Sequence, residues 1–374
     1  MLPTLKDFSS GRNNNFNIVR LIAASMVLVS HSFTLSTGNP DIEPFSRQIG
    51  LTLGTIAVYI FFVSSGFLVT GSLLSRKSIL EFFLARALRI YPALWVSQVL
   101  TLAVVGLWFT SLSRREFFGH WVTWHSFLKN CFLLRGVDVE FPGAFATVPF
   151  SVGGVNSSLW TLPIEVGMYL KLGLSWLLLH WLPRYGSRLF VALVVAAAVL
   201  SNVFDAALTL HLSWRLPDFG WTLTAMFFSG AALKLLERRI PVSGWLSAAL
   251  ALVAAACLVP GEAYFLIAFK LVLPYLVIYL ALVPFHGRRR AREPRDYSYG
   301  IYIYAYPVQQ SLAALLRHLT PLQMLCSSFP ITLALAALSW HLVEKCALEA
   351  KEQLGRNLRT LLGSPAPSLP LKTP

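Results

Sequence analysis

An arginine and a histidine stand eleven residues apart in one long apolar stretch, N-I-V-R-L-I-A-A-S-M-V-L-V-S-H-S-F from Asn17 to Phe33. At about 100° per residue that spacing closes three helical turns, so Arg20 and His31 share one stripe. They sit about 16 Å apart along the axis, roughly half the hydrocarbon thickness of a bilayer. One helix thus offers a cation near one membrane surface and a proton-accepting imidazole well across toward the other. Ionisable groups are costly inside a spanning helix, so such a pair points to function. The plain alternative is that Arg20 snorkels to the interface and His31 hydrogen-bonds a neighbouring helix.

Four further stretches carry reactive groups. S-L-W-T-L-P-I-E (158–165) places Trp160 and Glu165 at the start of a later apolar run. F-F-L-A-R-A-L-R-I-Y-P holds Arg86 and Arg89 at i, i+3, two guanidinium forks on one helical face that suit phosphate oxygens, or anionic lipid. F-F-V-S-S-G-F (61–67) offers Ser65 among small residues that admit a close helix or a thin ligand. S-Y-G-I-Y-I-Y-A-Y-P puts Tyr299, Tyr302 and Tyr306 on one face.

The elements that must hold these groups are membrane helices. With 56% hydrophobic and 13% charged residues in 374, and a mean hydropathy of +0.62, the chain cannot be a water-soluble globule. The net charge of +14 sits in short clusters between apolar runs, which reads as membrane orientation and excludes a nucleic-acid partner. Four cysteines show no paired or metal-ligand spacing, so neither a metal nor a disulfide framework is expected. Ten apolar runs are long enough to span: 16–35, 55–74, 93–110, 158–182, 189–210, 220–236, 245–259, 263–284, 297–316 and 321–343. The first is interrupted by Arg20 and lacks a small-residue cleavage site, so it is not read as a signal peptide. Arg76, Lys77, Arg86, Arg89, Arg184, Arg188, Arg238, Arg239 and the cluster Arg288–Arg295 all fall on one side, which places both termini in the cytoplasm. The predicted fold is an all-α, polytopic membrane helical bundle. Residues 111–157 form one long outer connection, expected as an interfacial amphipathic helix with a Gly/Pro-rich cover. A charged and then Pro/Ser-rich tail, residues 347–374, follows the membrane region 13–346.

This topology permits a comparison of depth. Counted outward from Phe16, His31 lies about 8 Å below the outer boundary, and Glu165, counted inward from Ser158, about 10 Å below it. The two are therefore expected to meet as base and orienting carboxylate, able to activate a hydroxyl nucleophile.

Taken together, the Arg-x10-His pair, F-F-V-S-S-G-F, Arg-x-x-Arg followed by I-Y-P, S-L-W-T-L-P-I-E and S-Y-G-I-Y-I-Y resemble acyltransferase family three of integral membrane proteins. The motifs run in the family's order over nearly the whole membrane region. The resemblance implies transfer of an acyl group, commonly acetyl, from cytoplasmic acyl-coenzyme A (acetyl-CoA) to a hydroxyl of a cell-envelope or secreted glycan or lipid-linked sugar, in the bacterial inner membrane. It implies His31 as catalytic base, Glu165 as its partner, and Arg20, Arg86 and Arg89 as contacts for the donor, with Ser65, Trp160, Tyr299 and Tyr302 in support. Ala305 stands where many members have histidine, so that side chain's role is absent here. Some relatives add a hydrolase-like domain, and a membrane-only enzyme is expected in this case. The rival from another class is a transporter or flippase with Arg20, His31 and Glu165 as a relay, which the lack of two related halves argues against. A structural export subunit is a third reading.

Overall fold

The computed structural model describes residues 3–9, 14–75, 78–133, 136–151, 154–182, 185–211, 219–283, 295–316, 318–350 and 354. The main helices are α1 (Phe16–Thr37), α2 (Leu53–Ser75), α3 (Ile79–Val104), α4 (Trp121–Phe132), α5 (Thr161–His180), α6 (Gly186–His211), α7 (Phe219–Leu235), α8 (Gly244–Ala256), α9 (Glu262–Leu282), α10 (Ser298–Leu315) and α11 (Pro321–Ser339). No strand forms among the described residues beyond two isolated bridges. All of these main helices but α4 fall on the ten predicted segments. Among the described residues, seven segments are long and apolar enough to cross a membrane by length and composition alone. The other three are α7 with 17 residues, α8 with 13, and the tyrosine- and glutamine-bearing α10 with 18. Most of α10 is buried. Its polar side chains are tolerated because neighbouring helices, rather than lipid, supply their partners.

Two glycines set how closely the core helices approach. A Cβ on Gly66 would stand 1.9 Å from the carbonyl oxygen of Phe227, and one on Gly230 would stand 2.2 Å from that of Val63. The backbones of α2 and α7 therefore touch, which leaves Ser65 turned toward α5. On the basic side, the N-terminal segment is tied to the turn after α7 by Leu5 N–H to Ile240 O (3.0 Å) and by Lys6–Glu237 (3.1 Å). The amino terminus thus lies on the face that carries Arg238 and Arg239. The tail beyond residue 350, Arg76, Lys77 and Arg184, and the run Arg288–Arg292 lie outside the described residues, Leu354 excepted.

Two expectations need correction. The third helix begins at Ile79 rather than near Ala93, capped by Ser78, whose Oγ accepts from Glu81 N–H (3.1 Å). Arg86 and Arg89 therefore lie within the helix and not ahead of it. Their charges broke the apolar pattern in the sequence, but inside the bundle they meet charged and polar partners. The outer connection, in turn, is more than an interfacial cover. Helix α4 runs down alongside α3, where Trp95 Nε1–H donates to Cys131 O (3.0 Å) and Tyr91 O–H to Phe132 O (3.2 Å). Tyr91 is eighteen residues, about 27 Å, inward of Phe109 along that helix. Thr123, Ser126 and Asn130 are buried while Trp121, Trp124, Leu128 and Phe132 face outward, so the polar side of α4 faces protein. From there the chain climbs back to hydrogen-bond Phe109 O through Phe145 N–H (2.9 Å) and descends again to Asn156. The described residues between 121 and 156 form a hairpin wedged into the bundle, where irregular backbone survives because protein surrounds it.

Candidate active site

Two arginines from different helices converge on one carboxylate. Asp296, in the turn before α10, accepts from Arg20 Nη1 (3.3 Å) and from Arg89 Nη2, and its other oxygen accepts from Ser298 Oγ. Arg89 Nη1 also donates to Glu344 Oε2 (3.0 Å), whose second oxygen accepts from Ser339 Oγ (3.2 Å). Glu344 reaches inward from a π-turn at Trp340–Glu344, a widening that re-aims side chains without ending a helix. Arg89 stacks over the Tyr299 ring (5.7 Å) and Arg20 over Phe61 (5.9 Å). Two cations and two carboxylates thus balance in the inner third of the bundle, joining α1, α3, α10 and α11. Arg86, one turn inward of Arg89 on α3, acts electrostatically on Tyr169.

Directly outward of this cluster is a small cavity of about 40 Å³, lined by Arg20, Phe61, Thr161, Glu165, Tyr299 and Tyr302 among others. Glu165 Oε1 accepts from Ser65 Oγ (2.8 Å) and from the Tyr169 hydroxyl, which themselves lie 3.0 Å apart. Tyr302 O–H donates to Ser158 O (2.6 Å) and lies 2.6 Å from Thr161 Oγ1, and Tyr299 O–H donates to Ile90 O (2.9 Å). Trp160 packs at the edge of the same core, in the short 3₁₀ turn Ser157–Trp160 that precedes α5.

His31 sits apart from this group. Its half-buried ring meets Tyr306 edge to face, centroids 5.0 Å apart, and its Nδ1 is sealed from solvent without a hydrogen-bond partner. The expected His31–Glu165 pair is not formed, because Glu165 shares its cavity with Arg20, eleven residues inward of His31 on α1. The depth comparison failed at its origin: Ser158 is not at the outer boundary. The hairpin carries the chain inside before α5 begins, so Ser158 already lies level with Tyr302. Arg20, Arg89, Ser65, Glu165, Tyr299 and Tyr302 are brought together; His31 stands about 10 Å further out, the rise from Tyr299 to Tyr306. Asp296, Glu344 and Tyr169 escaped the sequence reading, whereas Tyr306 lies on the tyrosine face that it named. Glu344 was findable, as a lone carboxylate in the last apolar run, W-H-L-V-E.

The arrangement is a polar track through an apolar bundle, with guanidinium groups able to meet an anion at the inner end and an imidazole free of ion pairs at the outer end. A family described as an acyltransferase domain matches residues 13–341. An O-acetyl transferase of Shigella phage Sf6 is 32% identical over 338 residues, covering 89% of this chain and 96% of that protein. Nodulation protein 10 of Rhizobium leguminosarum bv. viciae is 30% identical over 384 residues, covering 93% and 96%. Acyltransferase MdmB of Streptomyces mycarofaciens is 30% identical over 154 residues, covering 41% and 36%. No solved structure matches. With the polar track, the all-helical bundle with its membrane-spanning segments and a family match over nearly the whole chain, the protein belongs to acyltransferase family three and is a multi-pass membrane O-acyltransferase.

Proposed function

We propose that the protein takes an acyl group, in the simplest case acetyl, from acyl-CoA in the cytoplasm and transfers it to a hydroxyl of a cell-envelope or secreted glycan in a bacterial inner membrane. Residues 13–346 form the enzyme and 347–374 a cytoplasmic tail. The observation that carries this reading is the convergence of Arg20 and Arg89 at the inner end of a polar track that leads to His31. The phosphates of coenzyme A engage Arg86, Arg89 and Arg20, partly in exchange for Asp296 and Glu344. The pantetheine arm runs outward past Ser65, Glu165, Tyr299 and Tyr302, covering the roughly 16 Å between Arg20 and His31. His31 then accepts the proton of the sugar hydroxyl as the oxygen attacks the thioester carbonyl. The C–S bond breaks, and the leaving thiolate takes the proton back from the imidazolium. Glu165 serves the donor side, holding Ser65 and Tyr169, rather than orienting the histidine. The name of the phage relative, O-acetyl transferase, supports acetyl as the group and oxygen as its acceptor.

The test is mass analysis of surface glycans from cells with and without the protein, paired with purified protein and radiolabelled acetyl-CoA. Acetyl esters that depend on the protein, formed in vitro from acetyl-CoA, are expected; unchanged glycans with no transfer in vitro would overturn the proposal.

A further inference from the structure

Buried polar atoms without partners gather along about two turns of α10. Asn156 Oδ1, Ser158 Oγ, Gln309 Oε1, Gln310 Oε1 and His31 Nδ1 are sealed from solvent and make no hydrogen bond. Apart from His31, these residues are at most 4% exposed. All lie on or against the stretch of α10 from Tyr302 to Gln310. Gln309 and Gln310 are on it, Asn156 Nδ2 donates to Ile303 O (2.9 Å), Ser158 O accepts from Tyr302, and His31 packs on Tyr306. A buried acceptor left unpaired is destabilising, and native proteins keep few, so a concentration of them calls for a partner.

The orientation of the three amides is not arbitrary. Gln309 Nε2 donates to Leu28 O (3.0 Å) and Ser32 Oγ (2.8 Å), and Gln310 Nε2 to Phe150 O (3.1 Å) and Gly154 O (2.8 Å). Asn156 serves the Ile303 carbonyl, which lacks its usual helical donor because Pro307, four residues on, has no N–H. Turning any of these amides over would set oxygen against a backbone carbonyl oxygen. Each side chain is thus held by its NH₂ with its C=O left over. What remains is three amide oxygens, one imidazole nitrogen and the hydroxyls of Ser158 and Tyr306, a set rich in acceptors for O–H donors that carries no anion-binding charge. A phosphate or carboxylate would place oxygen against oxygen there, and a hydrocarbon chain would leave every acceptor unpaired.

We infer that the outer half of α10, with α1 and the hairpin, is the recognition site for the acceptor's hydroxyls, and that Gln309 and Gln310 determine its preference for a polyhydroxylated sugar. This rests on the transfer reading above, in which the hydroxyl that loses its proton lies against His31 and its neighbours on the ring donate to the amide oxygens. Ordered water could satisfy the same atoms, and the test separates the two.

Purified protein with acetyl-CoA is offered methyl glucoside, methyl galactoside or ethanol as acceptor. Wild type is expected to favour at least one hexoside over ethanol by about a hundredfold in kcat/KM. Gln309→Met and Gln310→Met should each raise the hexoside KM about tenfold, leave ethanol and the KM for acetyl-CoA within about twofold, and so collapse the preference. Should Gln310→Met fail to fold, because its amide also holds the hairpin, Gln309→Met carries the test through α1. An unchanged hexoside KM, an equal loss for hexoside and ethanol, or no hexoside preference in wild type assigns these atoms to water or to packing and overturns the inference alone. Transfer from acetyl-CoA to no hydroxyl at all overturns the transfer reading and the inference with it.

Discussion

His31→Ala is expected to lower acyl transfer by about 10²–10⁴-fold, the usual worth of a positioned general base, while the protein still inserts and binds acyl-CoA. The reasons are local. His31 stands at the outer end of the track, in no ion pair among the described residues, with its Nδ1 unpartnered and Tyr306 against it edge to face. Removing the ring forfeits an aromatic contact worth about 0.5–1.5 kcal/mol, too little to unfold a bundle of this size. The loss should therefore fall on kcat, with the KM for acyl-CoA nearly unchanged, because the arginines proposed to meet the donor lie some 16 Å inward. Radiolabelled acetyl incorporation and a binding isotherm for acyl-CoA, measured on the same preparation, separate the two quantities. Retained transfer in His31→Ala would remove the proposed base.

The second large effect concerns Arg89. Its fork joins Asp296 to Glu344, whose side chain is 2% exposed, and deleting it leaves two carboxylates buried without that cation. Breaking a buried pair from one side costs about 3–5 kcal/mol, so Arg89→Ala should melt markedly earlier in detergent than wild type. Arg89→Lys should recover part of the stability, since a point charge cannot serve both carboxylates in the planar fork geometry. The informative variant is Arg89→Ala with Glu344→Gln. Neutralising the deeper carboxylate should restore much of the melting temperature, yet the KM for acyl-CoA should stay at least about tenfold high, because the phosphate contact is still missing. Recovery of both together would make Arg89 a structural residue only.

Much of this was legible in the sequence, and the exceptions have physical causes. Ten apolar runs gave ten helices because lipid and neighbouring helices both reward continuous apolar surface. The convergence of Arg20 and Arg89 was hidden because the partners that neutralise them, Asp296 and Glu344, lie 276 and 255 residues further along the chain, respectively. The helical stripe of Arg20 and His31 needed no tertiary knowledge, whereas the level of Glu165 did. Its error came from counting inward from Ser158, a residue that the hairpin had already carried down to Tyr302. Val148, Val155 and Phe145 in that hairpin are buried, so the connection had the composition of a core segment and was read as a cover. The unpaired amides of Gln309 and Gln310 are likewise invisible until Pro307 and the hairpin backbone stand beside them.

The central claim is directional: the donor arrives at the arginine end and the acceptor at the histidine end. Sealed membrane vesicles of both orientations, given membrane-impermeant acetyl-CoA from outside, test it most directly. Acetylation of glycan is expected only in inside-out vesicles, whose outer surface is the face bearing Arg238, Arg239 and the amino terminus. Equal acetylation in sealed vesicles of either orientation, or acetylation confined to right-side-out ones, would contradict it.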